Sequence, residues 1–276
     1  KQRVTERTLA VIAINFLGLP PPLTGIRASL EGFDSVAVIA DYAQWFPEGT
    51  RSANVDADYT IFSFGRGKAL NLLGGGLLVA TEPVVPHYDP VPEKASLAFA
   101  YAAKCAAYNL LLHPLLYQFL DRNPLLKLGE TRYHALERLV AMAPWQRRRL
   151  SANLERYRRH NRQAEWAFRE ALDGVNLLAP LLRESPQKLL RYPLLVPDEA
   201  QRNQLLGELQ AAGLGATSFY GEALPELPDV PVQALDVGPT EQARNFARRL
   251  ITLPVHEGVK RKHWTQAIDK VLTRLQ

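Results

Sequence analysis

Cysteine and methionine are almost absent: the 276 residues hold one of each, Cys105 and Met142. A lone cysteine cannot close a disulfide within the chain, so a reducing compartment, the cytoplasm, is the expected location. Its apolar neighbours predict that Cys105 packs in a core rather than acting as a nucleophile. A lone methionine deep in the chain means that Lys1 is not a translation start, so either a fragment or processed chain or a natural short form is expected. No secretory signal is legible at the N-terminus. Histidines are few, and His113 has no companion at metal-ligand spacing, so no metal site is expected. At 47% hydrophobic content the chain can bury a sizeable core in one or two domains.

Excess charge is also confined. The net charge of +5 is matched by residues 145–172 alone, which carry eight arginines against Glu155, Glu165 and Glu170. That stretch has neither Gly nor Pro and predicts one long helix anchored by Leu150, Leu154, Tyr157 and Phe168. Helical spacing spreads its arginines around the axis, with acids among them. A solvated interdomain helix is therefore expected, not a nucleic-acid-binding stripe. Attraction to a nucleotide diphosphate or a membrane surface is the lesser alternative.

Residues 95–120 are unusually apolar, but Lys104 and Pro114 interrupt them. A buried or interface helix is expected there; a monotopic membrane contact ranks below it and a true span last.

The remaining punctuation predicts strands over 9–15, 36–40, 59–64 and 77–81, with a short helix over 23–31 and a proline-rich loop over 81–92. Strands alternating with crossovers argue for a largely parallel α/β sheet. The later part reads as a strand over 189–196, a helix over 199–212 stopped by Gly213, a helix over 240–249, a strand over 250–253 and a helix over 261–275. This gives an α/β domain over 1–144 and, over 145–276, a linking helix and a smaller α+β domain.

The most informative residue is Lys68, which closes Phe62-Ser63-Phe64-Gly65-Arg66-Gly67-Lys68. A phosphate-binding P-loop would need Gly six residues before the lysine and Ser or Thr after it. Phe62 and Ala69 stand there instead. A solvated turn lysine is the plain alternative. Against it stands the company Lys68 keeps. The apolar run Val36-Ala37-Val38-Ile39-Ala40 ends in Asp41, with Gln44 three residues later. An acid closing one buried strand, and a serine and lysine closing the next, meet at one sheet edge. Such groups suit pyridoxal phosphate: an amine for a Schiff base, a carboxylate for the ring nitrogen and a hydroxyl for the phosphate.

These residues resemble the DegT/DnrJ/EryC1/StrS sugar aminotransferases. Ala40-Asp41-Tyr42-Ala43-Gln44 is similar to that family's Glu-Asp-x-Ala-Gln segment, and Ser63 to Lys68 to its Ser-x-His-x-x-Lys motif. Gly74-Gly75-Gly76 through Thr81 resembles its glycine turn and strand. Arg191-Tyr192-Pro193, Gly213 to Tyr220 and Leu253-Pro254-Val255-His256 resemble parts of its small domain. The resemblance implies a pyridoxal phosphate fold-type-I enzyme that transfers an amino group from an amino acid to a keto sugar, nucleotide-linked, in glycan biosynthesis. Lys68 would hold the cofactor and shuttle protons. Asp41 would pair with the ring nitrogen, Ser63 would bind the phosphate, and Gln44 would lie near the ring's 3-oxygen. Tyr220 and His256 are substrate candidates, and a homodimer is implied. Lys68 argues against the family's dehydratases, which carry histidine in its place.

The sequence also departs from the family. Gly65 replaces the motif histidine, and three glycines replace the Gly-Glu-Gly-Gly turn. The partner-reaching Asn-Tyr-Arg-Met segment is not preserved around Thr131-Arg132-Tyr133-His134. The family's N-terminal phosphate turn and ring-stacking aromatic have no counterpart. A catalytically incomplete scaffold protein, associated or not with a membrane surface, is the alternative to an enzyme.

Overall fold

The computed structural model describes residues 3–48, 56–84, 89, 94–111, 139–227, 230–231 and 238–276. Four strands form the first sheet: β1 (Ala10–Ile14), β2 (Ala37–Asp41), β3 (Tyr59–Ser63) and β4 (Gly76–Ala80). They lie in sequence order, with β1–β2 and β2–β3 parallel and β3–β4 antiparallel. Helix α1 (Leu23–Ser29) occupies the first crossover. The link from β3 to β4 contains no helix to carry the chain back along the sheet, so β4 returns antiparallel. The four expected strands of this sheet and the helix expected over 23–31 each exist within two residues of their sequence-derived bounds.

β1 differs from the buried strand expected over 9–15. Ala13 is buried, but Ile12 and Ile14 are 63% and 54% exposed. Alternation along the strands separates two faces. Ala13, Val38, Ala40 and Phe62 point into a core shared with Leu23 and Leu30, against which Leu150, Leu154 and Tyr157 also pack. The register sets Ile12 beside Ile39, Ile14 beside Asp41, Asp41 beside Ile61, and Ile61 beside Leu78 on the opposite face. Ile61 and Leu78 are exposed there too. Parallel strands are normally covered on both faces; here the cover among the described residues lies on one.

The apolar stretch is described only as α2 (Ala95–Leu111); His113, Pro114 and the rest of 112–120 lie outside the described residues. α2 is mostly exposed rather than buried: among its described side chains only Ala98, Tyr101, Cys105 and Tyr108 are partly covered. Tyr101 donates to the Leu72 carbonyl (2.9 Å) and Tyr108 accepts from Asn71 (3.4 Å), while Phe99 is 77% exposed. Cys105 is only partly covered, not a core residue, because it lies on the narrow line of contact between these two tyrosines. Among the described residues no helix is long and apolar enough to cross a membrane.

The arginine-rich stretch is two helices, not one: α3 (Pro144–Arg159) and α4 (Gln163–Ala171). No Gly or Pro breaks it. One tertiary and one local bond do: His160 Nε2 meets the Val255 carbonyl at 3.1 Å, and Asn161 Oδ1 accepts the Gln163 N–H at 2.7 Å in a turn ahead of the new helix. Nor are all the arginines solvated. Arg162 and Arg169 converge on Glu165, which is 1% exposed and also accepts the Leu189 N–H at 3.3 Å. Only the arginines of α3 form exposed pairs, with Glu155 and Glu257.

Beyond α5 (Ala179–Glu184), strands β5 (Arg191–Leu195) and β6 (Leu250–Pro254) pair antiparallel. Helices α6 (Glu199–Ala211), α7 (Glu241–Arg249) and α8 (Arg261–Leu275) complete this part. Asp198 caps α6 through the Gln201 N–H (2.8 Å). A second core gathers Phe168, Tyr192, Leu194, Leu205, Leu209, Ile251, Leu253 and Val271. Leu19, from the turn after β1, is buried in it. That turn depends on Gly18: its φ is +102°, and a Cβ there would lie 2.5 Å from the Lys188 carbonyl oxygen.

Two stability predictions follow from this packing. Glu165→Ala strands two largely buried guanidinium groups and is expected to lower unfolding free energy by about 3–5 kcal/mol. Gly18→Ala is expected to cost about 1–3 kcal/mol through the clash and the left-handed backbone. Urea denaturation measures both, and wild-type midpoints would contradict the assigned roles.

Candidate active site

Asp41 ends β2 and Ser63 ends β3. Since Asp41 pairs with Ile61, Ser63 lies two residues further along and projects from the same open face. Carboxyl ends of parallel strands are where α/β sheets hold ligands. Asp41 Oδ1 accepts the Ala43 N–H at 2.9 Å, turning the chain towards Gln44. Ser63 Oγ accepts the Gly65 N–H at 3.3 Å.

The loop after β3 closes on itself. Phe64 donates its N–H to the Gly75 carbonyl (2.9 Å) and accepts from Leu72 (2.9 Å) and Gly74 (3.1 Å). Lys68 sits on this loop, its N–H on the Gly65 carbonyl at 3.3 Å. A Cβ built on Gly65 would lie 3.5 Å from Ser63 Oγ and 3.8 Å from Lys68 Cγ, so the hydroxyl and the lysine stem flank one glycine. Burial pushes the Lys68 ammonium below its usual 10.5, and the neighbouring Asp41 carboxylate pulls it back up. Desolvation is what makes a lysine a usable nucleophile.

Gln44 is buried, 6% exposed. Its Oε1 accepts the Leu17 N–H at 2.9 Å, and its Nε2 donates to the Tyr220 hydroxyl at 3.3 Å. Tyr220 thus arrives from the C-terminal half. Partial desolvation, and then the Asp41 charge, raise its phenol above its ordinary value, while the bond from Gln44 acts in the opposite direction. Asp41, Gln44, Lys68 and Tyr220 therefore converge, with Ser63 adjoining Lys68.

His256 does not join them. Its Nδ1 accepts the Gly258 N–H at 3.2 Å. Partial desolvation and then the charges of Arg191 and His160 lower its pKa, opposed by Glu257. The sequence reading missed Leu17, whose N–H orients Gln44. The signal was the turn Asn15-Phe16-Leu17-Gly18, where Asn15 Oδ1 accepts the Gly18 N–H at 3.0 Å. Among the described residues no cluster of His, Cys, Asp or Glu could hold a metal ion.

The donor set fits pyridoxal phosphate. A partly desolvated amine, a carboxylate within its field, an adjoining hydroxyl and a buried amide share one sheet edge. The fold, a parallel-rich sheet with a smaller α+β part, is that of fold-type-I pyridoxal phosphate sugar aminotransferases. Residues 142–272 match the DegT/DnrJ/EryC1/StrS aminotransferase family. That match covers the C-terminal half, whereas Asp41, Ser63 and Lys68 lie outside it.

Among solved structures, the fold is similar to Helicobacter pylori PseC, an aminotransferase involved in the biosynthesis of pseudoaminic acid. That likeness has TM-score 0.62 and 16% identity, over 99% of this chain and 68% of that one. It is similar to DesI, solved in the presence of its TDP-sugar product (TM-score 0.67, 20% identity, 100% of this chain and 64% of that one). A putative sugar aminotransferase of Streptococcus pneumoniae in its PLP form gives TM-score 0.63 at 18% identity, over 99% and 70% of the two chains. Identities this low establish the fold alone, and the chain spans 64–70% of the length of these three. No curated protein matches the sequence.

The depressed Lys68 has a testable consequence. At neutral pH the ammonium is charged in a partly desolvated place, so it opposes folding; that cost fades as pH rises through the depressed pKa towards 10.5. Without cofactor, Lys68→Met is expected to be the more stable protein at pH 7, by less than about 1 kcal/mol because the group is partly solvated. The gain shrinks towards zero near pH 10.5. Thermal unfolding against pH measures it, and a gain that grows with pH would be the wrong sign.

Proposed function

We propose that the chain is a pyridoxal phosphate-dependent aminotransferase that moves an amino group from an amino acid to a keto sugar carried on a nucleotide. The observation that carries this reading is Lys68, desolvated and within the field of Asp41, at the carboxyl edge of β2 and β3. The sugar and nucleotide are supported by the similarity to PseC and to DesI with its TDP-sugar product. A homodimer and a cytoplasmic location belong to the same proposal, the second resting on the lone Cys105.

Bound there, the cofactor supplies an electron sink for the carbanion of the amino donor. The residues do the rest. Burial shifts Lys68 towards its neutral form, so its Nζ would hold the cofactor at the aldehyde carbon, the aldehyde oxygen leaving as water. With an amino donor in its place, the freed Nζ would take the donor's α-proton and give a proton back on the other side of the transfer. Asp41 would pair with the ring nitrogen and keep it protonated. Ser63 Oγ would give a hydrogen bond to the phosphate. Gln44 would lie near the ring's 3-oxygen, and Tyr220 would face the substrate. His256, whose Nδ1 accepts the Gly258 N–H, stays a substrate candidate on the resemblance alone.

Adding pyridoxal phosphate is expected to produce a visible absorption band that borohydride fixes on Lys68, located by peptide mapping. Lys68→Ala is expected to abolish the band. Ser63→Ala is expected to keep it while weakening cofactor affinity about tenfold to a hundredfold, the loss of one charge-assisted hydrogen bond. A wild-type protein that gives no band would put the scaffold reading in its place.

A further inference from the structure

Two residues that bend against backbone preference stand on either side of one side-chain amide, that of Gln44. Leu17 (φ 57°) and Phe219 (φ 62°) both adopt left-handed conformations, an outlier state for large side chains that clusters at functional positions. Leu17 follows β1; Phe219 lies between α6 and α7. Leu17 gives its N–H to Gln44 Oε1 (2.9 Å), and Tyr220, next to Phe219, takes an N–H from Gln44 Nε2 (3.3 Å).

The same two segments touch through their rings. Phe16 meets Phe219 edge-on at 5.7 Å and Phe246 at 5.8 Å, while Phe219 packs on Tyr220 at 4.5 Å. The loop is pinned to β6 by reciprocal Thr217–Thr252 backbone bonds of 3.1 and 2.8 Å. Gln44 is therefore held from both sides. An amide offers one acceptor oxygen and two N–H donors. The oxygen is committed to the N-terminal half and one donor to the C-terminal half, which fixes the way the amide faces.

We propose that Tyr220 is a positioning residue whose hydroxyl locks the Gln44 amide, so that docking of the C-terminal half sets the shape of the Lys68 pocket. The lock stands on the geometry of the cofactor-free protein; only its effect on the cofactor rests on the function proposed above. A phenol is protonated through the neutral range in any case, and partial desolvation and the Asp41 charge push this one further up. With its oxygen accepting from Gln44, its own hydrogen remains available as a donor.

The test uses the whole chain without cofactor, comparing wild type, Tyr220→Phe, Gln44→Ala and the double variant. Amide hydrogen exchange at Leu17 reports the lock, and pyridoxal phosphate titration reports the pocket. Tyr220→Phe keeps the ring and loses one oxygen, so folding is retained. It is expected to speed Leu17 exchange about fivefold to tenfold, the equivalent of about one hydrogen bond. Gln44→Ala should speed it further, and the double variant should match Gln44→Ala alone. Pyridoxal phosphate affinity should fall about tenfold in Tyr220→Phe. Unchanged Leu17 exchange in Tyr220→Phe, or additive effects in the double variant, overturns the proposal. If the exchange pattern holds while pyridoxal phosphate binds no variant and not the wild type, the lock stands and the cofactor assignment falls.

Discussion

The arrangement of this protein depends on the turn from Asn15 to Leu19. β1 ends in it, and it is the point at which the two apolar cores meet: Ala13 lies in one and Leu19 in the other. A turn this deeply buried must satisfy its backbone donors without water. Asn15 takes the N–H of Gly18 and Gln44 takes that of Leu17. In return the Leu17 carbonyl accepts the Leu190 N–H at 2.9 Å, joining the approach to β5. The position of the C-terminal half relative to the first sheet thus follows from how one short loop is hydrogen-bonded.

A second tie runs beside it. Lys188, 5% exposed, gives its ammonium to the Tyr157 carbonyl at 2.6 Å and to Glu48 at 2.8 Å. Its backbone carbonyl passes close to Gly18, and its ammonium stands over the Tyr157 ring at 4.4 Å. Next to it, Glu165 gathers Arg162 and Arg169, whose remaining donors reach the carbonyls of Leu182, Pro186 and Gln187. Buried ions so fully partnered contribute orientation more than net stability, since desolvation offsets much of their attraction. Their geometry holds the start of α4 against the segment leading into β5.

Much of the chain was legible in sequence because local signals and tertiary environment agree. The strand runs ending in Asp41 and Ser63 and the glycine stop after α6 lie where their patterns put them. The nearness of Lys68 to Asp41 also followed from pattern, as Asp41 closes β2 and Lys68 lies on the loop that follows the neighbouring β3. Three things were not legible. The break at His160 has no helix-breaking residue and depends on a bond to Val255, nearly a hundred positions away. The burial of Arg162 and Arg169 depends on which side of α4 meets α5. The bare side of β1 could not be read, because an apolar run specifies no neighbour. At the site, residue types were readable, but the lock on Gln44 needed Leu17 and Tyr220 in three dimensions.

The open face of the first sheet bears on how the protein behaves in bulk. Ile12, Ile14, Ile61 and Leu78 stand to solvent on the side that also carries Asp41 and Ser63. Such a surface makes colloidal behaviour sensitive to the solvent. Sulfate and other excluded salts drive these side chains together, and chaotropic ions disperse them. A ligand seated at the strand ends would shield part of the same surface, so its occupancy and the protein's tendency to self-associate are physically linked.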